Sequence, residues 1–191
     1  MVEELKKQYD ESIDLILSEC KEILSKVDPK ETEELIELLC SSRRVFFVGV
    51  GRVLLSLEAM AKRLAHLGIE THVVGDINEP AMNKEDLLIV GSGSGESIIP
   101  VAIAKKAKEI GGKIVHIGSN PDSTVAKLAD LQVRIPAATK LHLPDEYISK
   151  QPLTSLFEQC LMIYGDALAA LIIKKKGIDV KSLWDTHANL E

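Results

Sequence analysis

Over the first 27 residues, Val2, Leu5, Tyr9, Ile13, Ile16, Cys20, Ile23, Leu24 and Val27 recur at intervals of three and four among charged positions. That spacing draws one apolar stripe down a long helix over residues 2–27. Such a stripe, on an arm ahead of the main body, predicts burial against another copy of the chain; folding back onto its own domain is the alternative. Asp28, Pro29 and Glu31 supply an N-cap, a proline in the first helical position and an early carboxylate, so a second helix is predicted through Leu38 or Leu39.

From Arg43 the period changes. Short apolar and β-branched runs at Val45–Val50, Thr71–Gly75, Leu87–Gly91, Lys113–Gly118 and Leu131–Ile135 predict strands. Helical patterns at about Leu54–Leu67, Ile98–Ile110 and Ser123–Ala129 separate them, and Gly68, Gly111 and Gly112 stand where the first two need C-terminal caps. The alternation predicts an α/β domain with a doubly wound parallel sheet in three αβα layers. Pro136 and Pro144, with Pro152 just beyond, make residues 136–151 a loop at the sheet edge or over a site. A last long helix is predicted from about Pro152 to Lys175, with Lys174, Lys175 and Lys176 at the negative end of its dipole, followed by a tail from Val180 to Glu191. The chain reads as one domain, residues 1–191, with N-terminal helices over 1–42 and the α/β core over 43–191.

Composition narrows the partners. Hydrophobic residues make up 46% of the 191 positions but aromatics only 4%, so the core must be built of Ile, Leu, Val and Ala, which suits helices on a buried parallel sheet. A formal net charge of -6 and the lack of a basic stretch argue against nucleic acid, and any small anion must be gripped locally by backbone N–H groups and a few side chains. Cys20, Cys40 and Cys160 show no metal-ligand spacing and are expected to be buried thiols in a reducing cytosol. The charged N-terminus lacks the apolar run of a signal peptide, and no stretch is expected to reach the ~18 apolar residues of a membrane span, so a cytoplasmic protein is expected.

In an open parallel sheet, ligands sit beyond the carboxyl ends of the strands. Two loops there carry glycine. Gly91-Ser92-Gly93-Ser94-Gly95-Glu96-Ser97 follows the third strand and opens a helix: glycines admit a close anion, hydroxyls and first-turn N–H groups can hold it, and the same residues also serve in ordinary turns. Gly49-Val50-Gly51-Arg52 follows the first strand and invites a dinucleotide reading, with Asp76 as a ribose acceptor. Leu54, in the third glycine position of GxGxxG, argues against it.

Taken in order, VFFVGVGR, AKRLAHLG, LLIVGSGSGES, AKEIGGKIVHIGSNPDS, LADLQVRIP, PLTSLFE and HANLE resemble the 6-phospho-3-hexuloisomerases of the sugar isomerase (SIS) domain superfamily. The resemblance runs from about Arg43 to Glu191. It implies a flavodoxin-like, five-stranded parallel sheet, a homotetramer, no cofactor or metal, and interconversion of 3-hexulose 6-phosphate with fructose 6-phosphate in the ribulose monophosphate pathway. By the same resemblance, Ser92, Gly93, Ser94 and Ser97 hold the phosphate, while Gly51 and Arg52 approach the sugar phosphate from the other side. Glu158 is the base, and His187 reaches into a neighbouring subunit's site.

His66 could serve as a substrate contact or as a cation at a helix end. His72, His116 and His142 have no partner legible in the sequence. The chain departs from the family pattern at Val53, where a serine that donates to phosphate is usual, and at Thr154 and Ser155, where PLGT becomes PLTS. These departures leave two other readings open: a pentose phosphate isomerase of the arabinose 5-phosphate type, and a noncatalytic sugar phosphate sensor.

Overall fold

A computed structural model describes residues 1–190. Its sheet consists of β1 (Val45–Val48), β2 (Thr71–Val73), β3 (Leu87–Gly91), β4 (Lys113–Gly118) and β5 (Leu131–Arg134). All neighbours are parallel, in the order β2-β1-β3-β4-β5. Both faces of the central strands are covered, so β1 and β3 are buried at every position. Phe47 and Ile89 point to the face packed by α1 (Val2–Leu24), α2 (Pro29–Ser41), α3 (Arg52–His66) and α6 (Ser155–Lys176). Phe46, Leu88 and Val90 point to the opposite face, under α4 (Ile98–Ile110) and α5 (Thr124–Leu128). These are the three layers the alternation predicts.

The caps read from the sequence form. Asp28 accepts from Lys30 N at 2.8 Å with Pro29 at the start of α2, and Gly111 closes α4 in the left-handed region at φ 88°. Ends differ where the backbone must turn. α1 stops at Leu24 rather than Val27, because Asp28 must leave the helical path to cap α2. β1 stops at Val48, so that Gly49 and Val50 swing into the turn before α3, whose N-cap is Gly51 at φ 59°. α6 starts at Ser155, since Leu153 sits at φ 54° and cannot belong to a right-handed helix. The tail contains a 3-10 helix, Val180–Thr186.

Three expectations need correction. Cys20 and Cys160 are buried where α1 meets α6, but Cys40 is exposed near the end of α2. One helix, α6, is by length and composition apolar enough to cross a membrane, with an 18-residue window of mean hydropathy 1.6, contrary to the sequence expectation. Its apolarity has a structural cause: α1, α2 and α3 all pack against it, and Leu161, Leu168 and Ile172 are fully buried there. The third concerns α1, which is neither wholly an arm nor wholly folded back. Its last turns dock on α6 through Cys20 and Ile23, while Leu5, Tyr9 and Leu17 stay more than half exposed.

Candidate active site

The chain leaves β1 toward β2 on one side and leaves β3 toward β4 on the other. The loops after β1 and β3 therefore diverge, and a crevice opens between them at the switch point of the sheet. A cavity of about 250 Å3 occupies it, lined by Gly51, Arg52, Ser92, Gly93, Ser94, Ser97 and Glu158. The structure thus gathers every sequence-predicted site residue here except His66 and His187.

The serine loop is braced from below and behind, which leaves its upper face to the cavity. Ser92 Oγ accepts from Gly95 N at 3.0 Å, and the carbonyl of Gly93 accepts from Ser119 N and Asn120 N at 3.0 and 3.1 Å. Glu96 turns away from the cavity and accepts from Thr124 N and Thr124 Oγ1 at 2.7 and 2.8 Å. Those bonds from Thr124, first from its N–H and then from its hydroxyl, hold the Glu96 carboxyl below its ordinary range and keep its charge at the start of α5. Ser97 is the N-cap of α4, yet its hydroxyl makes no capping bond among the described residues. The hydroxyl and the N–H groups of Ile98 and Ile99 are therefore open to an anion, whereas Pro100 has no N–H and Val101 N is spent on Ser97 O.

His116, a residue for which the sequence offers no role, supports this loop. It is fully buried on β4 and its Nε2 lies 2.9 Å from Ser92 O; a carbonyl only accepts, so the proton is on Nε2. Nδ1 has no hydrogen-bond partner among the described residues. Burial disfavours the imidazolium and lowers the pKa to about 4, against weaker opposing effects of the Ser92 carbonyl and the Glu96 charge. The unfolded chain takes up this proton near pH 6.5 and the folded one does not until about pH 4. The contribution to stability is therefore full above pH 6.5 and falls away as the pH drops toward 4, by about 3 kcal/mol. Urea unfolding at pH 7.5 and 4.5 is expected to show this loss in the wild type and a smaller one in His116→Gln.

Glu158, in the first turn of α6, forms the opposite wall and is 8% exposed. Its Oε2 accepts from Arg52 Nε across the crevice, and its Oε1 accepts from Thr154 Oγ1 at 2.8 Å. Ser56 Oγ donates to the Glu158 carbonyl at 2.9 Å and ties α3 to α6 at this point. Thr154 thus has a visible use: the hydroxyl that replaces the family's glycine orients Glu158. Val53, the other departure, lines the cavity and packs toward Gly91, so that part of the wall is apolar. Sequence reasoning missed Thr139 and Lys140, which close the cavity from the loop over residues 136–151; the only signal was that loop's placement over a site.

His66 and His187 lie together elsewhere, ring centroids 5.3 Å apart, with Trp184 at 5.3 Å from His187. His66 ends α3 and Arg52 begins it, so the pair is about 21 Å along the helix from the cavity. His66 is buried, and the loss of water, followed by the charges of Lys62 and Arg63, lowers its pKa. That corrects the reading of His66 as a cation at the helix end. His72 pairs with Glu70 at 3.1 Å on the sheet edge, and His142 lies in the loop at φ 51°.

An α/β sheet with a serine and glycine anion loop at its switch point, faced by a buried carboxylate, defines a class of sugar phosphate-binding domains. Residues 38–170 match the SIS domain, and the chain belongs to that family. Its branch is that of the 3-hexulose-6-phosphate isomerases. The enzyme of that name from Bacillus subtilis (strain 168) is 38% identical over 176 residues, 92% of this chain and 95% of that one. The one from Mycobacterium gastri is 39% identical over 180 residues, 94% of this chain and 90% of that one. The crystal structure of a Methanococcus jannaschii protein, for which a molecular function of 3-hexulose-6-phosphate isomerase is inferred, has a TM-score of 0.81 at 30% identity. It covers 95% of this chain and 99% of its own.

Proposed function

We propose that this chain interconverts 3-hexulose 6-phosphate and fructose 6-phosphate in the cytoplasm, with Glu158 as the proton-transferring base. The observation that carries this reading is a single cavity with a buried carboxylate on one wall and unspent hydroxyls and amides on the other. At about 250 Å3 it is smaller than the range of roughly 300–1,000 Å3 usual for drug-sized ligands, as befits a small metabolite.

The phosphate sits against Ser92, Gly93 N–H, Ser94 and Ser97 at the start of α4. The sugar then extends toward Glu158. The two ketoses differ in whether the carbonyl is at C3 or C2, so the reaction is a proton shift through a shared enediol. Glu158 takes the proton from C2 of the 3-ketose, the electron pair forms the C2–C3 double bond, and O3 gains a proton. Loss of the O2 proton and delivery of a proton to C3 completes the exchange. Arg52, whose side chain is 66% exposed, forms a pair with Glu158 that solvent weakens. An arriving phosphate draws Arg52 toward itself and frees the carboxylate.

His187 enters from a second copy of the chain in an oligomer, the tetramer that the resemblance implies, with His66 buried beside it as support rather than as a substrate contact. Their position at the far end of α3 supports action in trans. Mixing inactive Glu158→Gln with inactive His187→Ala, after gentle dissociation and reassembly, is expected to restore turnover, because some sites then receive both native groups. A mixture as inactive as its parents overturns action in trans.

A coupled assay on 3-hexulose 6-phosphate tests the function as a whole, with arabinose 5-phosphate in parallel. Preference for the hexulose is expected. Turnover of the pentose alone assigns the chain to the other isomerisation, and binding by calorimetry without turnover makes it a sensor.

A further inference from the structure

Glu19 is a buried carboxylate that the proposed reaction does not use. It sits on the docked part of α1 and is 3% exposed. Among the described residues, every hydrogen bond to its carboxylate comes from one short stretch of chain: Lys150 N to Oε1 at 2.9 Å, and Ser149 Oγ and Gln151 Nε2 to Oε2 at 2.7 and 3.0 Å. Gln151 N returns a bond to Ser149 Oγ at 3.0 Å, which folds the stretch around the carboxylate. Burial alone would raise the carboxyl's pKa, but the bonds from Lys150, Ser149 and Gln151 together hold it below its ordinary range.

The stretch lies near the end of a continuous strap around the site. At its start, Thr139 and Lys140 line the cavity, and Glu146 accepts from Thr139 N at 2.9 Å and from Leu143 N at 3.2 Å to keep that end closed. At its end, the chain turns at Leu153, and Thr154 donates to Glu158. The strap has no regular secondary structure of its own between β5 and α6, so side chains of the body hold it: Arg134 pairs with Asp145, Tyr147 packs on the core beneath Lys26, and Glu19 binds three consecutive residues next to the turn into α6.

We propose that Glu19 is a positioning residue for the active site. By gathering residues 149–151 it sets both ends of the strap at once, the Lys140 wall and the Thr154 contact to the base, and so makes site geometry depend on the docking of α1. This inference rests on the function proposed above.

Its test combines kinetics with hydrogen exchange on the full-length protein. Glu19→Gln keeps the size of the side chain but turns an amide N–H2 toward groups that themselves donate. Its kcat/KM on 3-hexulose 6-phosphate is expected to fall tenfold or more, through both a higher KM and a lower kcat. Amides in 139–154 and the first turn of α6 are expected to exchange at least tenfold faster, with those of β1 and β3 unchanged. Ser149→Ala and Gln151→Leu, which remove one donor each, give smaller changes in the same direction and carry the test where Glu19→Gln fails to fold. A lower melting temperature with wild-type kinetic constants and wild-type exchange in the strap makes Glu19 a stability residue only and overturns the proposal. Wild-type protein that does not turn over the hexulose overturns the function instead. The exchange pattern around Glu158 then decides the role of Glu19 alone.

Discussion

Glu158→Gln is expected to lower kcat on 3-hexulose 6-phosphate by a factor on the order of 10²–10⁴, the usual contribution of a positioned general base. The substitution is close to isosteric. The amide oxygen still accepts from Thr154 Oγ1, and the main chain of Glu158 still accepts from Ser56. What disappears is the charge opposite Arg52 and the ability to take a proton. Arg52, being largely exposed, regains water at little cost, so folding should survive. The serine loop makes no contact with Glu158 that the change would break, and affinity for fructose 6-phosphate by calorimetry should stay within a few-fold of wild type. Steady-state kinetics supply the check: an unaltered kcat would remove Glu158 from the chemistry.

The second large effect is expected at Gly95. This residue holds φ 65°, and a Cβ built on it would lie 2.1 Å from Ser123 Oγ and 2.4 Å from Ser123 Cβ. Gly95→Ala therefore meets two penalties, about 1–2 kcal/mol for a left-handed residue with a side chain and about 1–3 kcal/mol for overpacking. The loop has little room to yield, because Ser123 is itself fixed as the N-cap of α5, accepting from Ala126 N at 3.1 Å. Relief must come from lifting residues 94–97 off β4, which displaces the hydroxyls from the phosphate. The expected result is a melting temperature lower by several degrees, about 2–4 °C per kcal/mol for a chain of this size, together with a KM raised at least tenfold. Adding Ser123→Gly should recover only the overpacking part, since the backbone penalty and the lost cap remain. Calorimetric melting of the two variants separates these contributions, and a single variant that melts and binds like wild type would show that the loop accommodates a methyl group after all.

The sequence was most legible where physics is local. Asp28 with Pro29, Gly111 in its cap, and the apolar runs of β1 and β3 each announce an element through their immediate neighbours, and each formed within a few residues of its expected bounds. The two glycine loops were legible for the same reason, and the parallel order then placed them side by side. Contacts across long stretches of chain were not legible. His116 meets a backbone carbonyl 24 positions away, which leaves no trace in residue types. Glu19 looks like any solvated carboxylate beside the stripe of α1, and its partners lie 130 to 132 positions further on. Thr139 and Lys140 belong to a segment with no periodicity to read. Val53 and Thr154 could be recognised as departures, but only the structure shows that one fills wall space and the other orients a carboxylate.

The central place of α6 bears on how the protein is made. The first three helices are translated early, yet each of them packs on a helix that ends at Lys176. Ile23, Leu35, Leu57 and Leu64, all fully buried in the finished molecule, share the core cluster that Leu161 and Leu168 complete. A ribosome that has not yet released Ser155–Lys176 therefore carries a nascent chain whose first three helices lack the helix they pack on, a natural substrate for chaperones until α6 emerges and completes that layer.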